Sequence, residues 1–336
     1  MSELTDVFSG DGFSTVTLTK AIQKDAPTVG AIGKLGIFQE VPVPGTLVAV
    51  EENQGILGLV PTTARGGPGV PSEDSKRKMV NLKVPHLQLD DAVHADDALN
   101  VRAFGSADRM TGIGEIVARK LAIMRSSIEV TNEYLRLGAL LGIVAYPAGS
   151  VDPNLNLFTV FGTAQQTKSW ELDVATTLVI EQMLPETRDL IETALGGTGY
   201  SGVHVFAGRT WFRTLIGHPL VKALYNQQQA MWALSPVQQG GRMKLVIGDW
   251  TFEEYYGAVS GVTFLTTTQA IAFPLTDIYQ TILAPADTVE AAGSLGQPMY
   301  ARQYPAQDGK SITLEVQKNP LNICVRPRAL IYLSLT

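Results

Sequence analysis

Eight residues, Asp90-Asp91-Ala92-Val93-His94-Ala95-Asp96-Asp97, gather four carboxylates and one imidazole, donors that a divalent cation takes. The run lacks the glycine turn and terminal glutamate of a calcium loop, so the preferred reading is a solvated acidic stretch ahead of a long helix. Gly197-Thr198-Gly199-Tyr200-Ser201-Gly202 matches the spacing of a dinucleotide-binding loop. That chemistry needs a strand before the glycines and a helix after them, so that the pyrophosphate meets a helix N-terminus. Here a helix precedes and a strand follows, so the loop reads as a helix ending. Gly199-Tyr200-Ser201 begins like a nucleophile elbow, but Val203 stands where its second glycine belongs. His204 is the nearest base, and the neighbouring sequence gives it no carboxylate. The four histidines, His86, His94, His204 and His218, lack the spacing of a zinc helix, and one cysteine cannot complete a cysteine-rich zinc site. Neither a metal nor a cofactor is expected. Cys324 lies in an alternating apolar stretch and reads as a small buried hydrophobe.

Composition narrows the field further. The chain has 336 residues, enough for about two domains. It is 45 % hydrophobic and 17 % charged, a globular balance with material for a real core. The net charge of −6 argues against strong binding to a phosphate backbone, which needs clustered Lys and Arg. Lys76-Arg77-Lys78 is too small a cluster to change that. A single cysteine allows no intrachain disulfide and points to a reducing compartment. The first residues carry no signal-peptide pattern. The longest apolar run, 137–148, contains Pro147 and falls short of the roughly 20 residues of a membrane span.

The strongest predicted element is a helix over 112–141. Ile113, Val117, Leu121, Met124, Ile128 and Leu135 recur at spacings of three, four or seven. Before it, residues 1–45 read as an arm that must dock elsewhere, with a strand at 15–19. Strands at 46–51 and 55–61 lead into the polar Gly/Pro loop 65–78, and a return strand follows at 79–84. This long excursion reads as a projecting hairpin. Beyond the long helix, strands are expected at 142–146, 155–161, 203–206, 244–248 and 252–256. Helices are expected at 185–195 and 220–229, each with a proline at its entrance. Three short strands are expected at 311–317, 322–326 and 329–335.

The last fifty residues carry a further signal. They include Gln297-Pro298-Met299-Tyr300-Ala301-Arg302 and the run from Leu314 through Lys318-Asn319-Pro320-Leu321-Asn322 to Pro327. With Arg102-Ala103-Phe104-Gly105, Leu137-Gly138-Ala139-Leu140, 156–162 and 217–222, this region resembles the major capsid proteins of tailed bacteriophages, in the branch of the lambda capsid protein E. The resemblance spans residue 100 to the end; the first hundred residues match in layout more than in motif. It implies an α+β chain with the Hong Kong 97 phage-type major capsid fold: an N-terminal arm, an extended β-hairpin loop and a long spine helix. The implied division is arm 1–45, extended loop 46–100, peripheral domain 101–162, axial domain 163–284 and peripheral completion 285–336.

The resemblance also implies a non-enzymatic shell protein that assembles with itself into hexamers and pentamers of an icosahedral head in the bacterial cytoplasm. It encloses double-stranded DNA without reading sequence and uses no membrane. The implied partners are a scaffold, a maturation protease and a portal, and often in this family a decoration protein. The short arm points to a scaffold encoded separately. Arg65, Lys76, Arg77 and Lys78 on the projecting loop are the expected inter-subunit contacts. Lys76, Lys78 and Asn319 lie where some capsids of this fold form Lys–Asn cross-links, but no local pattern here specifies that reaction. Two alternatives remain: an encapsulin-type shell protein, and a cytoplasmic nucleotide-binding enzyme built on the Gly197–Gly202 loop.

Overall fold

The computed structural model describes residues 15–24, 30–53, 77–94, 109–234, 244–255, 258–259, 262–263, 265–306 and 311–335. In chain order the elements begin with α1 (Thr15–Lys24), α2 (Ala31–Leu35), β1 (Gln39–Pro42), β2 (Leu47–Asn53), β3 (Arg77–Lys83) and β4 (Leu87–His94). The long helix α3 (Arg109–Leu141) follows, then β5 (Ile143–Val144), β6 (Leu155–Asn156), α4 (Leu157–Phe161) and β7 (Gln166–Ser169). A π turn, Val179–Met183, leads into α5 (Leu184–Leu195), β8 (Val203–Ala207), α6 (Arg209–Gly217), α7 (Pro219–Leu234), β9 (Lys244–Ile247) and β10 (Trp250–Glu254). Then come β11 (Ala258–Val259), β12 (Val262–Thr263), β13 (Ala270–Pro274), β14 (Tyr279–Leu283) and β15 (Tyr300–Pro305). The chain closes with β16 (Ser311–Lys318), β17 (Pro320–Cys324) and β18 (Ile331–Ser334).

The chain divides into two compact units: Met1–Val48, Asn81–Arg136 and Gln280–Asn322 form the first, and Ala49–Val80, Leu137–Tyr279 and Ile323–Thr336 the second. In the first unit, β16 lies between β15 and β4 in an antiparallel sheet. Ile116, Val117, Leu121, Met124 and Ile128 of α3 cover it, meeting Val93, Met299, Ala301, Leu314 and Val316 in one core. Leu18 and Ile22 of α1 complete that cluster. A second small sheet has the order β1-β14-β17, with β1 parallel to β14.

The second unit is built on a six-stranded sheet of order β7-β18-β13-β8-β10-β9. β8 is its central strand, parallel to β10 and antiparallel to β13, and all five of its residues are buried. Trp170, Trp211, Trp250 and Phe252 pack beside it, with Trp170 and Trp211 ring centroids 5.4 Å apart. Such aromatic contacts add to area burial because tilted rings align edge and face. The Trp170 indole donates to Thr187 Oγ1 at 3.1 Å, which fixes α5 over the sheet.

Several expected elements differ. Residues 15–19 form the start of helix α1, not a strand, because Leu18 and Ile22 fall on one helical face and reach the core. Residues 157–161 are helix α4 rather than the rest of a strand. The Asn156 side chain accepts from the Thr159 N–H, and Gly162 closes the turn at φ 67°. The acidic stretch begins on a strand: Asp90 and Asp91 lie on β4, paired to Glu315 and Leu314 of β16. The last strand, β18, pairs with β13 and β7, so it belongs to the six-stranded sheet of the second unit. The expected strand at 55–61 lies outside the described residues.

Candidate assembly interface

The longest element is α3, with 33 residues. Its apolar stripe makes the core of the first unit, but a second stripe is polar: Arg125, Glu129, Asn132, Glu133 and Arg136 recur at helical spacing. Each of these side chains holds a segment distant in sequence. Arg125 Nη1 donates to the Ile22 carbonyl in the last turn of α1. Glu133 accepts from the N–H groups of Ile32 at 2.8 Å and Gly33 at 3.2 Å, in the first turn of α2. A cation at a helix C-terminus and an anion at an N-terminus each satisfy orphan backbone groups and oppose the helix dipole. Gly30 makes room for this: a Cβ there would lie 2.1 Å from the Glu133 carboxyl carbon. Arg136 stacks over the Phe38 ring, 5.6 Å from its centroid.

The same stripe grips the C-terminal strands. Lys318 Nζ donates to Glu129 Oε1 at 2.8 Å, with side-chain exposures of 4 % and 15 %. Burial pushes the Lys318 ammonium below the usual lysine range, and the Glu129 carboxylate opposes that only in part. Asn322 donates to Asn132 Oδ1 at 2.9 Å and accepts from Thr281 Oγ1 at 2.7 Å. All three of these residues are buried. One helix face thus ties the N-terminal segments and the C-terminal strands into one body.

Each edge strand of the three-stranded sheet is capped at one point by side chains. On β15, the Thr19 hydroxyl donates to the Ala301 carbonyl and accepts from the Ala301 N–H, both at 3.1 Å. Just ahead of β15, Gln23 Nε2 donates to the Met299 carbonyl at 2.9 Å. On β4, the Lys120 ammonium donates to the Ala92 carbonyl at 2.8 Å and to the Asp91 carboxylate at 3.0 and 3.1 Å. Exposed strand edges are templates for pairing with other chains, and side-chain caps of this kind block them.

Of the four expected contact residues, two fall among the described residues. β2 and β3 form a two-stranded sheet of their own, closed at its root by the Val84 N–H donating to the Thr46 carbonyl at 2.9 Å. Arg77 and Lys78 open β3, while Arg65 and Lys76 lie outside the described residues.

The chemistry candidates take structural roles. Asp91 is neutralised by Lys120, Asp90 accepts from the Gln88 amide at 3.0 Å, and Asp96 and Asp97 lie outside the described residues. Gly196 and Gly197 carry φ of 57° and 87° at the end of α5, where a left-handed backbone favours glycine. A Cβ on Gly202 would lie 2.8 Å from the Asp249 carbonyl oxygen. Two of the three motif glycines are therefore explained by backbone geometry. Ser201 Oγ donates to the Leu275 carbonyl at 3.2 Å. His204 is buried on β8 and does have a carboxylate: Glu253 Oε2 lies 3.5 Å from its Nε2. Sequence reasoning missed that partner because it comes from β10, one strand over. Lys244 Nζ reaches the same oxygen at 3.1 Å. Burial pushes the Glu253 carboxyl up, but the hydrogen bonds and charges of His204 and Lys244 outweigh it and leave the group below the usual range. His218 Nε2 meets the Val174 carbonyl at 3.2 Å between α6 and α7. The Cys324 thiol is fully buried and pushed up to about 12, which leaves it inert.

A long helix that holds N-terminal segments and C-terminal strands, a helix-on-sheet second unit and a two-stranded sheet ahead of both in sequence are the parts of a Hong Kong 97-type capsid subunit, and solved structures share the fold. A protein of an E. coli CFT073 prophage, described as its capsid protein, superposes with a TM-score of 0.60 at 12 % identity, over 96 % of this chain and 99 % of that one. The capsid of Ralstonia phage GP4 gives 0.52 at 11 % identity, over 89 % and 87 %. The profile of the family described as phage major capsid protein E matches residues 14–334, and the chain belongs to that family. The major capsid protein of Salmonella phage Felix O1 is 24 % identical, covering 95 % of each chain. That of Pseudomonas phage KPP10 is also 24 % identical, covering 90 % of this chain and 91 % of its own. The function is that of a phage major capsid protein, a structural component of the virion shell. Among the described residues no helix is long and apolar enough to cross a membrane.

Proposed function

We propose that this chain tiles a closed icosahedral head as hexamers and pentamers around double-stranded DNA, and that it catalyses nothing. The observation that carries the reading is the capsid-family match from residue 14 to residue 334. The net charge of −6 supports a wall that encloses DNA without gripping it. In this reading residues 1–45 are the arm, 46–100 the extended loop, 101–162 and 285–336 the peripheral domain, and 163–284 the axial domain. The projecting loop, with Arg65, Lys76, Arg77 and Lys78, reaches a neighbouring subunit. A scaffold, a maturation protease and a portal are the usual partners of such a head, and often a decoration protein. Each interface is modest, but closure multiplies the interfaces each subunit makes, so stability belongs largely to the shell.

Deletion of residues 66–75 tests the role of the loop. The variant subunit should keep its far-ultraviolet circular dichroism and yield few or no closed particles by electron microscopy. Normal shells from the deletion variant would show that the loop is not an inter-subunit bracket.

A further inference from the structure

His86 stands between β3 and β4, two residues beyond the Val84 N–H that closes the root of the β2–β3 sheet on the Thr46 carbonyl. Both of its ring nitrogens are engaged. Nδ1 meets Asn319 Oδ1 at 2.8 Å, in the turn between β16 and β17, and Nε2 meets Gln88 Oε1 at 3.1 Å. The far end of each amide fixes which atom faces the ring. Asn319 Nδ2 donates to the Pro285 carbonyl at 2.6 Å, and Gln88 Nε2 donates to the two Asp90 carboxylate oxygens at 3.0 and 3.1 Å. Turning either amide over would set its carbonyl oxygen against another acceptor.

A neutral imidazole has one donor and one acceptor, and only the imidazolium donates from both nitrogens. Two amide oxygens on one ring therefore match the charged form. In the neutral form a nitrogen lone pair faces an oxygen lone pair, and one amide must turn. Gln88 is the one that yields, because it is exposed while Asn319 is 5 % exposed and tied to Pro285. The surrounding charges are arranged by face. Gln88 and Asp90 lie opposite Gln317 and Glu315 of β16, and Glu315 lies opposite Arg302 of β15. Glu315 accepts from Arg302 at 2.7 Å, Tyr300 and Tyr304 flank Arg302 on that face, and the Asp287 N–H donates to Gln317 at 3.1 Å. On the opposite face Asp91 and Lys318 are taken by Lys120 and Glu129, and Lys83 ends β3. Asp90 is thus the carboxylate that His86 reaches, through Gln88.

We propose that His86 is a proton-operated latch at the root of the β2–β3 sheet. Protonated, it holds the β3–β4 connection at two points, with Nδ1–H on Asn319 and Nε2–H on Gln88. On neutralisation the Nε2 proton leaves to solvent, the Gln88 arm lets go of Asp90, and the Asn319 bond alone remains. Histidine changes charge near neutral pH, and this ring is exposed, so the latch answers to the medium. The bearing on assembly rests on the capsid reading, in which the loop beyond β2 and β3 reaches a neighbour. A root fixed in advance lowers the ordering cost of that contact.

Nitrogen-15 spectra of the histidine-labelled free subunit should show protons on both His86 nitrogens at about pH 5 and on Nδ1 alone at about pH 8. Protection of the Val84 amide from hydrogen exchange, corrected for the intrinsic rate, should be roughly threefold or more higher at the acid end. His86→Gln, at an exposed position, should fold normally and lose that difference. Shell yield with the other head proteins should likewise rise on going from about pH 8 to about pH 6 in the wild type, and should rise less in His86→Gln. A single ring N–H at acid pH, or a Val84 response that is the same in His86→Gln, overturns the latch. A latch that responds in the free subunit while wild type and variant give the same yields at both pH values overturns its part in assembly alone. A wild-type chain that builds no shell at either pH overturns the capsid reading, and the free-subunit spectra still decide the latch.

Discussion

The ion pair between Lys318 and Glu129 gives the sharpest test of the idea that α3 organises the first unit. Both side chains are largely out of solvent, and they meet at 2.8 Å. Changing Glu129→Gln leaves the ammonium buried beside a neutral amide and within the field of Arg136, which disfavours its charge. Breaking one side of a buried pair costs about 3–5 kcal/mol. Because Glu129 retains some exposure, the expected loss is near the lower end, about 3 kcal/mol. The double change Glu129→Leu with Lys318→Met removes both charges and should be neutral or stabilising, by up to roughly 4 kcal/mol. The pH dependence has a definite sign. The folded chain holds the Lys318 proton more weakly than the unfolded chain, so the unfolded state binds more protons between the lowered folded value and the ordinary 10.5. Stability contributed by this group therefore rises with pH through that window, and the rise should begin at lower pH in Glu129→Gln. Urea unfolding of the unassembled subunit, followed by tryptophan fluorescence at neutral and alkaline pH, measures both effects. A Glu129→Gln variant within about 1 kcal/mol of wild type, with the same alkaline slope, would refute the reasoning.

Two further predictions concern buried polar groups. Asn322→Leu removes the partner of both Asn132 and Thr281 and should cost about 2–3 kcal/mol, whereas Thr281→Val, which removes only the outer bond, should cost about 1 kcal/mol in the same urea experiment. Glu253 has its folded value held below the ordinary 4.5, so its contribution is present above that value and lost as pH falls through the folded value. Acid unfolding followed by circular dichroism should therefore show a shallower slope below pH 4.5 for Glu253→Gln, and an unchanged slope would contradict the assignment.

What the sequence disclosed divides along physical lines. Helix α3 was legible because its apolar period runs for many turns and no other structure satisfies it. Gly196 and Gly197 were legible as a helix end because left-handed backbone favours glycine. Helix α1 was not, because Thr15–Thr19 alternates like a strand and only the distant core decides otherwise. Helix α4 carried its own signal in Asn156 and Gly162, but the apolar run between them also suited a strand. The polar stripe of α3 carries no meaning that the local sequence could reveal. Glu129 meets a lysine 189 positions away and Asn132 an asparagine 190 positions away, separations no local pattern can report. The carboxylate beside His204 was hidden for the same reason, since strand order in the six-stranded sheet is not sequence order. The family resemblance reached past this barrier because it draws at once on motifs spread from residue 100 to the end.

The central claim is that this subunit completes itself by joining copies of itself. Electron cryomicroscopy of the chain produced with the other head proteins tests it most directly. Closed icosahedral particles, with this chain in every lattice position, are the predicted result. A preparation that remains a monodisperse 36.2 kDa species under those conditions would contradict the account.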